Sequence, residues 1–143
     1  MTLLMLGDPE KSNFDFALLS DRMNIVQLGL LDEKGLFTAY YASDLFVSSS
    51  IDDSGPMMVN YSIACGTPVL SFPIGVSVEL VQHMKTGYIA DFMSIQSLED
   101  GIDYFYRLTE SELDAFRNNC LSLMSEYRDS EANRPWYHKV FES

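Results

Sequence analysis

The chain has 143 residues, the length of a single domain and enough to bury a core. Its apolar fraction of 47% and charged fraction of 21% are those of a globular protein rather than a disordered or fibrous one. The net charge of −12 argues against binding nucleic acid by bulk electrostatics, and no stretch approaches the ~18 apolar residues of a membrane span.

Cys65 and Cys120 have neither metal-ligand spacing nor a disulfide framework, so they read as reduced thiols of a cytoplasmic protein. Met1 to Leu6 is apolar, but no basic region precedes it and no small-residue cleavage site follows, which speaks against a signal peptide. His83 and His138 each stand alone, so no metal site is expected.

Thr2 to Leu6 is a continuous apolar run closed by Gly7-Asp8-Pro9, the pattern of a buried strand and a turn. Phe14, Ala17, Leu18 and Leu19 then fall at helical spacing, and Asn24 to Gly29 is a second strand ending in glycine. Leu36, Tyr40 and Tyr41 predict an amphipathic helix starting near Asp32 or Glu33, where acidic groups suit the positive helix end. Asp44-Leu45-Phe46-Val47-Ser48 is a third strand that opens into the polar loop Ser48-Ser49-Ser50. A fourth strand covers Val69 to Phe72, a helix is expected over Val78 to Met84, and Gly87 to Ala90 is a short fifth strand.

Ser97 is placed to cap a helix carrying Ile102, Phe105 and Tyr106, with Glu99 and Asp100 in its first turn. Thr109-Glu110-Ser111-Glu112 starts another, with Leu113, Phe116, Cys120 and Leu123 or Met124 at apolar spacing. The segment from Pro135 to Phe141 reads as a terminal helix. Strands alternating with helices define βαβ units and a mostly parallel sheet, so the fold class is α/β with a three-layer, Rossmann-like domain over residues 1–143. Ligands of such sheets bind outside the carboxyl ends of the strands.

One stretch stands at such an end: Asp53-Ser54-Gly55-Pro56-Met57-Met58-Val59-Asn60-Tyr61-Ser62-Ile63-Ala64-Cys65-Gly66-Thr67-Pro68-Val69. A polar turn gives way to a helix of small residues, and Gly66 and Pro68 stop that helix before the next strand. With the preceding strand, this stretch resembles the C-terminal nucleotide-sugar-binding domain of retaining GT-B glycosyltransferases, the glycosyl transferases group 1 family. Ala64-Cys65-Gly66-Thr67-Pro68-Val69 is the most specific part of the likeness. Ile74-Gly75-Val76 with Glu79-Leu80-Val81, and Thr86-Gly87-Tyr88-Ile89-Ala90, match later segments of that domain, while Leu3 to Gly7 and Asn24 to Gly29 match earlier strands.

The resemblance implies a donor site formed by Ser50, Asp53, Ser54, Gly55, Pro56, Met57, Tyr61, Gly75 and Glu79. Helix N–H groups near Met57 and Met58 would face a diphosphate, and carboxylates would accept hydrogen bonds from sugar hydroxyls. A nucleotide diphosphate sugar is then the donor substrate, with no cofactor and no essential metal. A glycan or lipid-linked acceptor would be held by an N-terminal domain absent from these residues, and the product would serve polysaccharide biosynthesis.

Two departures bear on activity. Tyr61 stands where the family has a ribose-binding glutamate, and the family's first strand, with an arginine and a lysine that neutralise the diphosphate, has no counterpart. The chain alone is therefore expected to be inactive, with no catalytic residue assignable. A non-catalytic α/β binding module derived from the same fold is the alternative. Some of these residues also have a purely structural reading: Asp53 as an N-cap, Met57, with Met58, as core or pocket wall, Glu79 as a solvated helix residue and Ser50 as ordinary loop. In the implied strand order the absent strand lies between Thr2–Leu6 and the 44–48 strand. Direct pairing of those two is expected to close the gap; a strand lent by another copy of the chain and self-association through an exposed sheet edge are the other routes.

Overall fold

A computed structural model of the chain describes residues 1–8, 23–52 and 57–129. The helix expected around Phe14 to Leu19 and the one expected over residues 135–141 lie outside the described residues. The chain, read from sequence as one domain, divides into two compact units, Met1–Ser43 and Asp44–Ser143.

In the first unit, strands β1 (Thr2–Leu6) and β2 (Asn24–Gly29) pair in parallel from Thr2 against Asn24 to Leu6 against Gly29, with an irregularity after Met5. Helix α1 (Glu33–Tyr41) starts as the sequence predicts: the Asp32 carboxylate accepts a 2.8 Å hydrogen bond from the Gly35 N–H, and Glu33 sits in the first turn. Ala39 and Tyr40 are buried, whereas Tyr41, expected on the apolar face, is exposed.

The second unit is built on strands β3 (Phe46–Ser48), β4 (Val69–Ser71) and β5 (Gly87–Ile89), parallel and in the order β3-β4-β5. Ser48, Ser71 and Ile89 stand level at the carboxyl edge. Neighbouring residues of a strand point to opposite faces, and β4 shows the consequence. Val69 joins a core of Val59 and Ile63 from helix α2 (Met57–Ala64), Leu80 from the short helix α3 (Ser77–Leu80), and Cys120 and Met124 from helix α5 (Glu110–Asp129). Leu70 joins Phe72, Ala90, Leu98 and Ile102 on the other face, under helix α4 (Ile95–Tyr106). Helices thus cover both faces of a fully buried β4, the three-layer arrangement expected from sequence.

Close approach within these layers depends on two glycines. A Cβ on Gly87 would lie 1.9 Å from the Val69 carbonyl oxygen, and one on Gly101 of α4 would lie 2.6 Å from Leu70 Cδ1. A third cluster, Phe105, Leu113 and Phe116, locks the α4–α5 corner, with the two phenylalanine rings 4.9 Å apart. Thr109 and Glu112 exchange hydrogen bonds in a capping box, at the helix start expected from Thr109-Glu110-Ser111-Glu112.

Several boundaries differ from the sequence reading. The third strand begins only at Phe46. The helix expected over Val78 to Met84 stops at Leu80, because Thr86 Oγ1 donates to the Leu80 carbonyl and accepts from the Gln82 N–H, which ties the segment to β5 instead. The cap of α4 is Ser94, not Ser97; the Ser97 hydroxyl accepts from the Asp91 N–H. Tyr106 is exposed. Within the first unit the ladder partner of β1 is β2, and within the second that of β3 is β4.

Candidate functional site

Helix α2 fixes the geometry of the site. Its end is a Schellman turn: the Thr67 N–H bonds the Ser62 carbonyl at 2.9 Å, the Gly66 N–H bonds the Ile63 carbonyl at 3.0 Å, and Gly66 takes a left-handed φ of 77°. The buried Ser62 hydroxyl donates to the Thr67 carbonyl at 2.9 Å, fastening the turn from within. The Pro68 carbonyl then accepts from the Phe46 N–H, and β4 begins alongside β3. Because α2 ends where β4 starts, its amino end stands at the carboxyl edge of the sheet, beyond Ser48.

Val59, Ser62 and Ile63 bury one face of α2. Met57 and Tyr61, one turn apart, share the opposite face; Met57 is exposed and Tyr61 half-buried. Ser50 is exposed in the loop that leaves β3. Asp53, Ser54, Gly55 and Pro56 lie outside the described residues. Gly75, with φ 49°, is exposed in the β4–α3 connection at the same edge of the sheet. Glu79 is exposed on α3, and its Oε2 accepts a 3.0 Å hydrogen bond from the Tyr127 hydroxyl of α5. The structure therefore places Ser50, Met57, Tyr61, Gly75 and Glu79 on the two connections that leave the carboxyl ends of β3 and β4.

Sequence reasoning gave no role to three residues of this region. Ser71, the last residue of β4, and Ser77, the first of α3, carry buried hydroxyls with no hydrogen-bond partner among the described residues. The only signal for them was a pair of serines inside the apolar run from Val69 to Val78. Tyr127 was missed because nothing local marks a tyrosine that reaches 48 residues back along the chain. Burial, then the hydrogen bond and charge of Glu79, raise its pKa, so the phenol is a proton donor at neutral pH.

Of the basic side chains described in this unit, Lys85 precedes β5, Arg107 follows α4 beside Asp103, and Arg117 on α5 bonds Asp44 at 2.8 Å and Asp114 at 3.0 Å. Desolvation works to lower the Arg117 pKa, but the hydrogen bond to Asp114 and the charges of Asp44 and Glu110 outweigh it and raise it. None of these three cations belongs to the β3–α2 or β4–α3 connection. Among the described residues no group of three or more His, Cys, Asp or Glu is placed to hold a metal ion. No helix of the described residues is long and apolar enough to cross a membrane. Cys120 is inert: burial pushes its thiol up to about 12, against a lowering backbone hydrogen bond.

A doubly covered parallel sheet with two loop-to-helix connections at one carboxyl edge defines a Rossmann-like α/β architecture. The model of the family "Glycosyl transferases group 1" matches residues 3–120, and the chain belongs to that family. Its fold is that of GT-B glycosyltransferases of known structure. Anabaena Alr3699/HepE in complex with UDP and glucose is similar at 17% identity and a TM-score of 0.76, over 99% of this chain and 40% of that one. Sucrose-phosphate synthase of Thermosynechococcus elongatus is similar at 18% identity and a TM-score of 0.74, over 99% and 37%. A glycosyltransferase of Rickettsia africae is similar at 22% identity and a TM-score of 0.67, over 98% and 40%. The chain spans about 40% of the length of the first of these structures. Among curated proteins none matches this sequence.

Proposed function

We propose that residues 1–143 form the donor-binding domain of a glycosyltransferase that holds a nucleoside diphosphate sugar at the carboxyl edge of the second unit's sheet. The observation that carries this reading is the family match over residues 3–120, which includes both connections at that edge. HepE, bound to UDP-glucose in one of the similar structures, supports the choice of ligand class. In this reading the amino end of α2, near Met57 and Met58, faces the diphosphate with its N–H groups. Ser50, Ser54, Gly55 and Pro56 line the approach, Asp53 and Glu79 accept hydrogen bonds from the sugar, Tyr61 takes the ribose, and Gly75 forms the opposite wall.

The parent enzyme transfers the sugar, with retention, to a glycan or lipid-linked acceptor in polysaccharide biosynthesis in the cytoplasm. Transfer leaves negative charge on the departing diphosphate, and catalysis depends on groups that stabilise that charge as it develops. The two described connections supply helix N–H groups but no cation. Residues 1–143 alone therefore bind the donor weakly, at about millimolar or ~−4 kcal/mol, and do not turn it over.

Chemical-shift mapping with UDP and UDP-glucose tests the site. Shifts at Ser50, Met57, Met58 and Gly75 are expected, and Tyr61→Glu should tighten binding by restoring a carboxylate acceptor for the ribose. Shifts confined to α4 and the first turns of α5 would remove the site. Tyr61 in place of a glutamate favours a second reading, a non-catalytic binding module. Complete indifference of the wild-type protein to both nucleotides would decide for it.

A further inference from the structure

We propose that Tyr127 is a positioning residue for Glu79: its phenol holds Oε2, which leaves Oε1 to accept a hydrogen bond from a hydroxyl of the donor sugar. The inference rests on the donor-binding reading above and deepens it.

The path of α5 puts Tyr127 near the site. Early in the helix, Arg117 bonds Asp44 just before β3, Asn119 donates to the Lys85 carbonyl just before β5, and Cys120 donates to the Thr86 carbonyl. These contacts all belong to the amino edge of the sheet. Leu121 packs over Gly66, just past the carboxyl-terminal end of α2, with its Cγ 3.2 Å from where a Cβ would stand. From Leu121 to Tyr127 the helix rises ~9 Å at 1.5 Å per residue. It thus climbs beside α2 toward the carboxyl edge, and there the Tyr127 hydroxyl meets Glu79 at 3.0 Å.

The two ends of this contact are held differently. The Tyr127 ring packs against the core of Val59, Ile63, Val69 and Leu80, so the position of its hydroxyl is set by packing. Glu79 sits between exposed Val78 and fully buried Leu80 on a helix of four residues, and its own side chain is exposed. Left to itself, an exposed glutamate samples several rotamers, and ordering it on ligand binding costs affinity. Among the described residues Tyr127 is its one hydrogen-bond partner. A carboxylate has about four acceptor positions, and one phenol occupies one of them. The bond therefore orders Glu79 without using up its capacity for a second donor. Gly75, four residues earlier, opens the same connection, so the ordered carboxylate belongs to the wall of the proposed site.

The role concerns the sugar and not the nucleotide, which gives it a readout that a purely structural contact lacks. Dissociation constants for UDP and for UDP-glucose are measured by NMR titration on the wild-type chain, Tyr127→Phe, Glu79→Gln and the double variant. Tyr127→Phe keeps the ring and its packing. It should weaken UDP-glucose by about fivefold while leaving UDP within about twofold. Glu79→Gln should likewise raise the ratio of the UDP-glucose to the UDP dissociation constant, and the double variant should be no worse than Glu79→Gln, because the two groups act through one contact. An unchanged UDP-glucose to UDP ratio in Tyr127→Phe, or additive losses in the double variant, overturns the role of Tyr127 and leaves the donor site standing. A wild-type protein that binds neither nucleotide overturns the donor reading itself, and the role of Tyr127 with it.

Discussion

Replacing Gly66 by alanine tests the turn on which the position of α2 depends. Gly66 holds φ at 77°, and an L-residue in the left-handed region costs roughly 1–2 kcal/mol. Alanine also restricts the unfolded chain, which offsets about 0.4–1 kcal/mol of that cost. The new Cβ would lie 3.2 Å from Leu121 Cγ, a tight contact, but Leu121 is half exposed and its side chain can give way. The net expectation is a loss of about 1 kcal/mol. With a urea m-value of about 1–3 kcal/mol/M, the unfolding midpoint should fall by ~0.5 M. Urea titration followed by far-ultraviolet circular dichroism reads this directly. Gly66→Asn brings the same Cβ but tolerates the left-handed region, so it should recover most of the loss. An alanine variant that unfolds at the wild-type midpoint would refute the turn argument. Equal losses for alanine and asparagine would move the cause from the backbone to the Leu121 contact.

Ser71→Ala removes a buried hydroxyl with no described partner and should raise stability by about 1 kcal/mol in the same titration; a loss would show that the hydroxyl is bonded after all. Cys120, its pKa raised to about 12, should resist a disulfide reagent at pH 8 in the folded protein and react only on unfolding; fast native labelling followed by mass spectrometry would contradict its burial. Self-association through the strand edges should appear in sedimentation velocity as a concentration-dependent rise in sedimentation coefficient, and a constant monomer value across the range would exclude it.

Much of the fold was legible because its signals are local. The Asp32 cap, the Thr109–Glu112 capping box and the Gly66–Pro68 stop each depend on residues within a few positions of one another. The strand over Val69 to Phe72 could be read from its apolar run directly after the Gly66–Pro68 stop, but the burial of both its faces depends on helices from elsewhere in the chain. Other features depend on distant partners. Ser94 and Ser97 both offer a capping hydroxyl, and only the Asp91 N–H, which takes Ser97, decides between them. Thr86 ends α3 from beyond the helix, so the apolar spacing of Val78 to Met84 overstates its length. In the candidate site, Gly75 and Met57 were named from the family resemblance, whereas Tyr127 and the buried hydroxyls of Ser71 and Ser77 required the packing of α5 and α3 to be known.

The strands of the first unit depart from what their sequence pattern suggests. Thr2 to Leu6 reads as a buried strand, and in such a strand each unpaired backbone group would cost on the order of 1–3 kcal/mol. Leu3 and Leu6 of β1 are instead 36% and 39% exposed, and Val26 of β2 is 37% exposed. An apolar run marks a strand, but it does not say how much cover the strand receives. The cover of β4 comes from helices on both of its faces, and those contacts are made by residues far along the chain. Accessible apolar side chains on paired strands keep an unfavourable contact with water, and that is the physical ground for testing association in the sedimentation experiment.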